Sequence, residues 1–143
     1  MIKGMFFIAL VFLGSYSLGL LLEDDKQPEA LAYKSTCNLL NGSCHINDND
    51  IQYEVSFDGI PSPLTPFSIR LTSLNKSLSN IEVIFEMEGM NMGNNHYVLK
   101  NDGESWSAKV LLPVCSLGRN DWILQLRFLY KEKVHSTEFR FTQ

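Results

Sequence analysis

From residue 51 onward, apolar and polar residues alternate along several short segments that are separated by glycine, proline or polar residues. A period of two is typical of a β-strand with one face in a core and the other in water. The pattern predicts seven or eight short strands, including 51–57, 67–71, 81–87, 122–130, 134–142 and a hairpin of 96–100 with 106–112. Many short strands with frequent turns predict an all-β sandwich.

The N-terminal segment has a different pattern. Residues 4–22 are uncharged and mostly apolar, with Lys3 before them and Glu23-Asp24-Asp25-Lys26 after them. At about 1.5 Å per residue, such a helix is long enough to cross a bilayer. A cleaved signal peptide is the alternative, but apolar residues continue beyond its best cleavage site, Ser15-Tyr16-Ser17. We expect a retained transmembrane helix within residues 1–22, with the C-terminal part across the membrane from Lys3.

The next segment, residues 23–36, carries four acids, one proline and no period, so it predicts a polar tether. The sandwich would then occupy residues 37–143, which is enough chain for one domain. The net charge is -4 and the sequence has no basic stripe, so we expect no nucleic-acid partner.

Two of the three cysteines, Cys37 and Cys44, flank an Asn41-Gly42 turn signal. One hairpin register places the cysteines directly opposite each other, and the other places them diagonally. A disulfide suits an exported chain, and closing so short a loop would add roughly 2–3 kcal/mol of stability. A redox-active or metal-binding pair is the alternative, although the spacing matches no standard zinc pattern.

Three of the five methionines lie within six residues, in Phe85-Glu86-Met87-Glu88-Gly89-Met90-Asn91-Met92-Gly93. Met87 continues the apolar row of strand 81–87, so we expect it in the core. Met90 and Met92 have the opposite parity, and a bulge at Gly89 would turn them outward. Methionine is usually a gap-filling core residue, but an exposed thioether is also a soft ligand for Cu(I).

Enzyme motifs are missing from the sequence: there is no nucleophile elbow, phosphate loop or His-x-x-x-His helix, so we expect no enzyme. The odd cysteine, Cys115, is either a small buried hydrophobe or a thiol ligand. Together with Met90 and Met92 it would form a soft, three-coordinate site for Cu(I), provided that the two loops meet at one end of the sandwich. The three histidines are expected at the surface, and His96 is the one that follows the methionines closely (His45, His96, His135).

Several segments resemble the small membrane-anchored FixH/YtkA-like proteins, over most of residues 50–130. They are Pro63-x-x-Pro66-Phe67-Ser68-Ile69, the run from Met87 to Gly93, Trp106-Ser107-Ala108, Leu112-Pro113-Val114-Cys115 and Asp121-Trp122. Glu88 stands where the family motif often has proline.

The resemblance implies an immunoglobulin-like domain in the bacterial periplasm, on a single-pass protein of the inner membrane. It also implies copper handling or assembly of respiratory oxidases, with an oxidase subunit or a copper chaperone as partner. The metal-site residues that it carries over are Met87, Met90, Met92 and, more weakly, Cys115 and His96.

The sequence therefore predicts a membrane-anchored periplasmic accessory protein that handles copper. The alternative is a non-enzymatic interaction module, in which the methionine-rich loop is a docking surface and Cys115 belongs to the core. A third interpretation, a secreted eukaryotic glycoprotein, depends on the sequons at Asn41 and Asn75.

Overall fold

A computed structural model of the chain describes residues 31–48 and 50–143. The described residues form ten strands in two five-stranded sheets. In chain order the strands are β1 Leu31–Lys34, β2 Cys44–Asp48, β3 Ile51–Asp58, β4 Phe67–Ser73, β5 Ser79–Glu86, β6 His96–Val98, β7 Lys100–Asn101, β8 Trp106–Val110, β9 Asp121–Tyr130 and β10 Lys133–Thr142. The first sheet has the order β1-β10-β9-β5-β6, and the second has the order β2-β3-β4-β8-β7.

The predicted all-β sandwich is confirmed, and its core follows the alternation in the sequence. Strand β9 buries every second residue over its full length, and β3, β4 and β5 do the same over most of theirs. Aromatic side chains from both sheets meet edge-to-face in the core, as Tyr53 does with Phe128 at 5.3 Å between ring centroids. The described residues contain more strands than predicted because β1, β2 and β7 are short edge strands without a sustained period.

The predicted hairpin between 96–100 and 106–112 forms only next to its turn. Strand β6 pairs with β5 in the first sheet, and only Lys100 and Asn101 pair with β8 in the second sheet. The chain changes sheets at Leu99, which is buried and donates its backbone N–H to the Ile81 carbonyl at 2.8 Å. Burial of this single leucine between the sheets interrupts the hairpin.

The predicted disulfide between Cys37 and Cys44 is confirmed, with the two Cα atoms 5.8 Å apart. The hairpin expected between the cysteines does not form, in either register. Residues Leu39–Asn41 form a 3-10 turn instead, because the Asn38 side chain caps it by accepting from the Leu40 N–H at 2.9 Å. Leu39 is buried beneath this turn.

The register of the strands defines two ends of the sandwich. One end, which we call the near end, contains Leu31, the turn between β2 and β3 and the turn between β9 and β10. An ion pair between Lys131 and Asp50, at 3.2 Å, joins these two turns. The opposite end, the far end, contains the loops at 59–66, 87–95 and 111–120. The chain therefore enters the sandwich at the end opposite to the methionine loop.

Strand β1 overlaps the segment that the sequence indicates as a tether, so the sheet begins before residue 37. Its parallel pairing with β10 stabilises a strand whose own sequence lacks a clear period. Within residues 31–48 and 50–143, the structure contains no helix long and apolar enough to cross a membrane. The predicted helix within residues 1–22 lies outside the described residues.

Candidate sulfur site at the far end

The methionine loop begins with a tight turn of residues 87–90. The Met90 N–H donates to the Met87 carbonyl at 3.1 Å, and Gly89 has a φ of 72°, as the third residue of a type II turn requires. A side chain at Gly89 would strain this conformation, which explains glycine there. Met87 is buried in the core, as predicted.

Met90 and Met92 are not the exposed residues that their parity predicts. Both are half-buried and pack against the core. The turn at Gly89 reverses the chain, so strand parity no longer decides where these side chains point. The next residues fold back by local bonds, in which the Asn91 side chain accepts from the Gly93 N–H at 2.9 Å. The outcome is a loop closed down over the end of the sandwich.

Cys115 begins the second turn at this end. The Gly118 N–H donates to the Cys115 carbonyl at 3.0 Å, and the free Cys115 thiol is buried, with 7% of the residue exposed. Its Sγ lies 3.6 Å from Met90 Sδ and donates to it. The methionine loop and the Cys115 loop thus meet at the far end, the condition that the sequence argument set for a sulfur site.

Arg119 joins the two loops, and sequence reasoning missed it. Its Nη1 donates to the Glu88 carbonyl in the methionine turn at 2.9 Å, and its Nε donates to Asp121 Oδ1 at 2.9 Å. The hydrogen bonds to Asp121 are the main reason that the pKa of Arg119 is raised. The same hydrogen bonds lower the pKa of Asp121. Arg119, a permanent cation, also interacts electrostatically with Cys115.

His96 is not brought to the sulfurs. It lies opposite Ile84 in the first sheet, and its Nε2 is 2.8 Å from Glu82 Oε2. Glu82 is also 3.6 Å from Arg127 Nη1. His96 thus belongs to a polar cluster on the outer face of that sheet.

The other two histidines are also remote from the sulfurs. His45 lies 3.7 Å from Glu54. His135 is half-buried rather than exposed as predicted, because its ring stacks on Phe128.

The part of the chain that the structure describes contains no group of three or more His, Cys, Asp or Glu side chains that could hold a metal ion. A metal site at the far end would therefore depend on methionine sulfur. Two sulfurs bound to one metal at about 2.3 Å each, with bond angles between tetrahedral and trigonal, are roughly 3.8–4.0 Å apart. The observed separation of 3.6 Å between Cys115 Sγ and Met90 Sδ is close to that range, so the pair fits a soft metal ion.

Exposed apolar side chains lie on the Cys115 loop and on the turn at Leu64 that is bonded to it. We call them the apolar rim: Leu64 (66% exposed), Leu111 (41%), Val114 (60%) and Leu117 (73%). Leu64 reaches the Cys115 loop because its N–H donates to the Leu112 carbonyl at 3.0 Å. It occupies the third position of a type II turn, with a φ of 59° that glycine normally supplies.

A surface cavity of about 600 Å³ lies elsewhere, on β2, β3 and β4 toward the near end. Its lining mixes polar and apolar side chains, among them His45, Glu54 and Leu74, and includes no cysteine or methionine. It has no connection with the sulfur chemistry.

Comparison of the chain with protein-family models, curated proteins and solved structures finds no match.

Proposed function

We propose that this chain is a membrane-anchored accessory protein of the bacterial periplasm that binds Cu(I) as cargo during assembly of a respiratory oxidase or another metalloprotein. The ligands in this proposal are Cys115, Met90 and Met92, on an immunoglobulin-like sandwich. The observation that carries the proposal is the 3.6 Å contact between Cys115 Sγ and Met90 Sδ at the junction of two loops.

The donor chemistry supports this function. Thiolate and thioether sulfur are soft ligands that suit Cu(I) better than Mg²⁺ or Ca²⁺. Cys115 would bind as the thiolate, releasing its proton to water, and the nearby Arg119 guanidinium would offset the negative charge. Half-burial of Met90 and Met92 against the core restricts their side-chain freedom before binding, which lowers the ordering cost of a site.

The position of the site would hold bound Cu(I) away from the membrane. The chain enters the sandwich at Leu31, at the near end, and the sulfur pair lies at the far end. We expect residues 1–22 to remain on the mature protein, which N-terminal sequencing of the membrane fraction measures. A mature chain that begins near residue 18 or 23 would contradict the anchor.

The binding proposal is tested by competition between the full chain, in detergent micelles, and a chromogenic Cu(I) chelator. We expect Met90→Leu combined with Met92→Leu, and separately Cys115→Ser, to abolish most Cu(I) binding. Met87→Leu is the matched control, because it conserves volume in the core and should cost less than about 1.5 kcal/mol of stability. If the double methionine variant binds Cu(I) as tightly as the parent, the copper site is wrong.

The second candidate is a non-enzymatic interaction module whose methionine-rich loop lies on a docking surface. The observation that favours it is the apolar rim, which exposes four large apolar side chains beside this loop. In this case the parent chain would not bind Cu(I), and Cys115 would serve as a buried core residue. The same titration therefore separates the two functions.

A further inference from the structure

The sulfur pair at the far end contains a thiol that has no second thiol to react with. Cys115 is one of three cysteines in the sequence, and the other two form the disulfide between Cys37 and Cys44. A cysteine that is oxidised to a sulfenic acid commonly condenses with a second thiol to give a disulfide. Because Cys115 is buried, a bulky thiol from solution reaches it poorly. The sulfur nucleophile in contact with Cys115 Sγ is instead the thioether of Met90, at 3.6 Å.

The contact is aligned for attack by this thioether. The Cys115 thiol donates its hydrogen to Met90 Sδ, so a lone pair of Met90 Sδ is already directed at Cys115 Sγ. Arg119 holds the two loops together, because its side chain donates to the Glu88 carbonyl in the methionine turn at 2.9 Å. The two sulfurs are therefore placed to react with each other without a rearrangement of either loop.

The three methionines of the loop differ in their relation to Cys115. Among the described residues, the Cys115 thiol donates to Met90 and not to Met92, although both methionines are half-buried. Met87 is enclosed in the core. Oxidation by a dissolved oxidant follows exposure, so direct attack would modify Met90 and Met92 at similar rates and Met87 slowly. Oxidation that passes through Cys115 would instead select Met90.

We propose that Cys115 transfers oxidation from hydrogen peroxide to Met90, and that the resulting Met90 sulfoxide switches off the sulfur site. The transfer is a property of the metal-free chain, and only its consequence for Cu(I) rests on the proposed function. A sulfoxide replaces a soft, apolar thioether with a polar group whose oxygen is a hard donor. The affinity for Cu(I) should therefore fall, and a methionine sulfoxide reductase would restore it.

The transfer is balanced in three steps. The Cys115 thiol reduces the peroxide to water and becomes a sulfenic acid. Met90 Sδ then attacks Cys115 Sγ and expels hydroxide, which leaves a sulfur–sulfur bond with the positive charge on the Met90 sulfur. Water attacks Met90 Sδ, the sulfur–sulfur bond breaks toward Cys115, and the protons released by this water return Cys115 to the thiol and neutralise the hydroxide. The net reaction oxidises one thioether and reduces one peroxide, and the sulfoxide oxygen comes from water.

The test exposes the metal-free full chain, in detergent, to hydrogen peroxide labelled with heavy oxygen, and peptide mass spectrometry assigns the oxidised methionines. We expect Met90 to be oxidised at least tenfold faster than Met92, and its sulfoxide to carry unlabelled oxygen from water. Cys115→Ser should slow Met90 to the rate of Met92, and the Met90 sulfoxide should then carry the peroxide label. Met92→Leu is the matched control, because the contact between Cys115 and Met90 does not involve Met92. This variant should keep the fast rate and the unlabelled oxygen at Met90.

Competition with a Cu(I) chelator before and after oxidation measures the switch, and we expect oxidation of Met90 to weaken Cu(I) binding at least tenfold. Peroxide oxygen in the Met90 sulfoxide of the parent, or equal rates at Met90 and Met92, would overturn the transfer through Cys115 and leave the proposed function standing. Equally tight Cu(I) binding before and after oxidation would overturn the switch. A parent that binds no Cu(I) before oxidation would overturn the proposed function, whereas the label and the rates would still decide the transfer.

Discussion

A buried hydrogen bond joins the two sheets, between the hydroxyls of Tyr53 on β3 and Thr137 on β10. Both residues are almost fully buried. Tyr53→Phe or Thr137→Val alone leaves one buried hydroxyl without its partner, which should lower the free energy of unfolding by about 1–3 kcal/mol. The double variant removes both hydroxyls, so its cost should be less than the sum of the two single costs. The expected coupling energy is about 1–2 kcal/mol.

The same bond predicts a dependence of stability on pH. Burial, as the main cause, raises the pKa of Tyr53 from 10.0 to about 12. Because the folded pKa lies above the unfolded one, the contribution of Tyr53 is complete below pH 10 and is lost as the pH rises from 10 to 12. Two pKa units correspond to about 3 kcal/mol. Tyr53→Phe should remove this part of the decrease in stability.

Urea unfolding of residues 24–143 at a series of pH values between 8 and 11.5, followed by tryptophan fluorescence, measures both effects. Thr142→Val is the matched control, because Thr142 lies on the same strand and is exposed. Its unfolding free energy should change by less than about 0.5 kcal/mol. If the double variant loses the sum of the two single losses in unfolding free energy, this hydrogen bond does not link the sheets as described. The same follows if the stability of Tyr53→Phe falls at alkaline pH as much as that of the parent.

Two further predictions concern covalent and backbone constraints. Replacing Cys37 and Cys44 by serine should lower the free energy of unfolding by roughly 2–3 kcal/mol. Alkylation of the unreduced, denatured parent should label Cys115 alone, as measured by mass spectrometry. A labelled Cys37 or Cys44 would contradict the disulfide. Leu64→Gly should raise the free energy of unfolding by roughly 0.5–1 kcal/mol, since relief of a left-handed conformation exceeds the entropy cost of glycine. Leu64→Ala keeps the Cβ strain and should not stabilise the protein; equal urea midpoints for the two variants would refute the strain.

The sequence predicts best the strands whose period reflects burial of one face. Strands β3, β4, β5, β9 and β10 follow their alternation because each has one face in the core. The edge strands and the change of sheet at Leu99 depend on pairing across the fold, which no local pattern carries.

The candidate site, too, could be predicted from the sequence only in part. The sequence argument required the Cys115 loop and the methionine loop to meet at one end of the sandwich, and the sulfur contact shows that they do. The half-burial of Met90 and Met92 was not predictable from parity, because the type II turn at Gly89 interrupts the strand geometry. Arg119 was missed because its role depends on reaching the Glu88 carbonyl, 31 positions away in the sequence. The available signal was an Arg-Asn-Asp segment directly after the Cys115 turn.

The disulfide loop also bears on self-association through strand edges. Strand β1 covers residues 135–138 of β10, which continues to Thr142. The 3-10 turn between Cys37 and Cys44 packs against β10 and β3. Unpaired backbone groups on an open edge are a template for pairing with another chain. We expect reduction of the disulfide between Cys37 and Cys44 to loosen this loop from β10, and so to raise the tendency of the protein to aggregate through that edge.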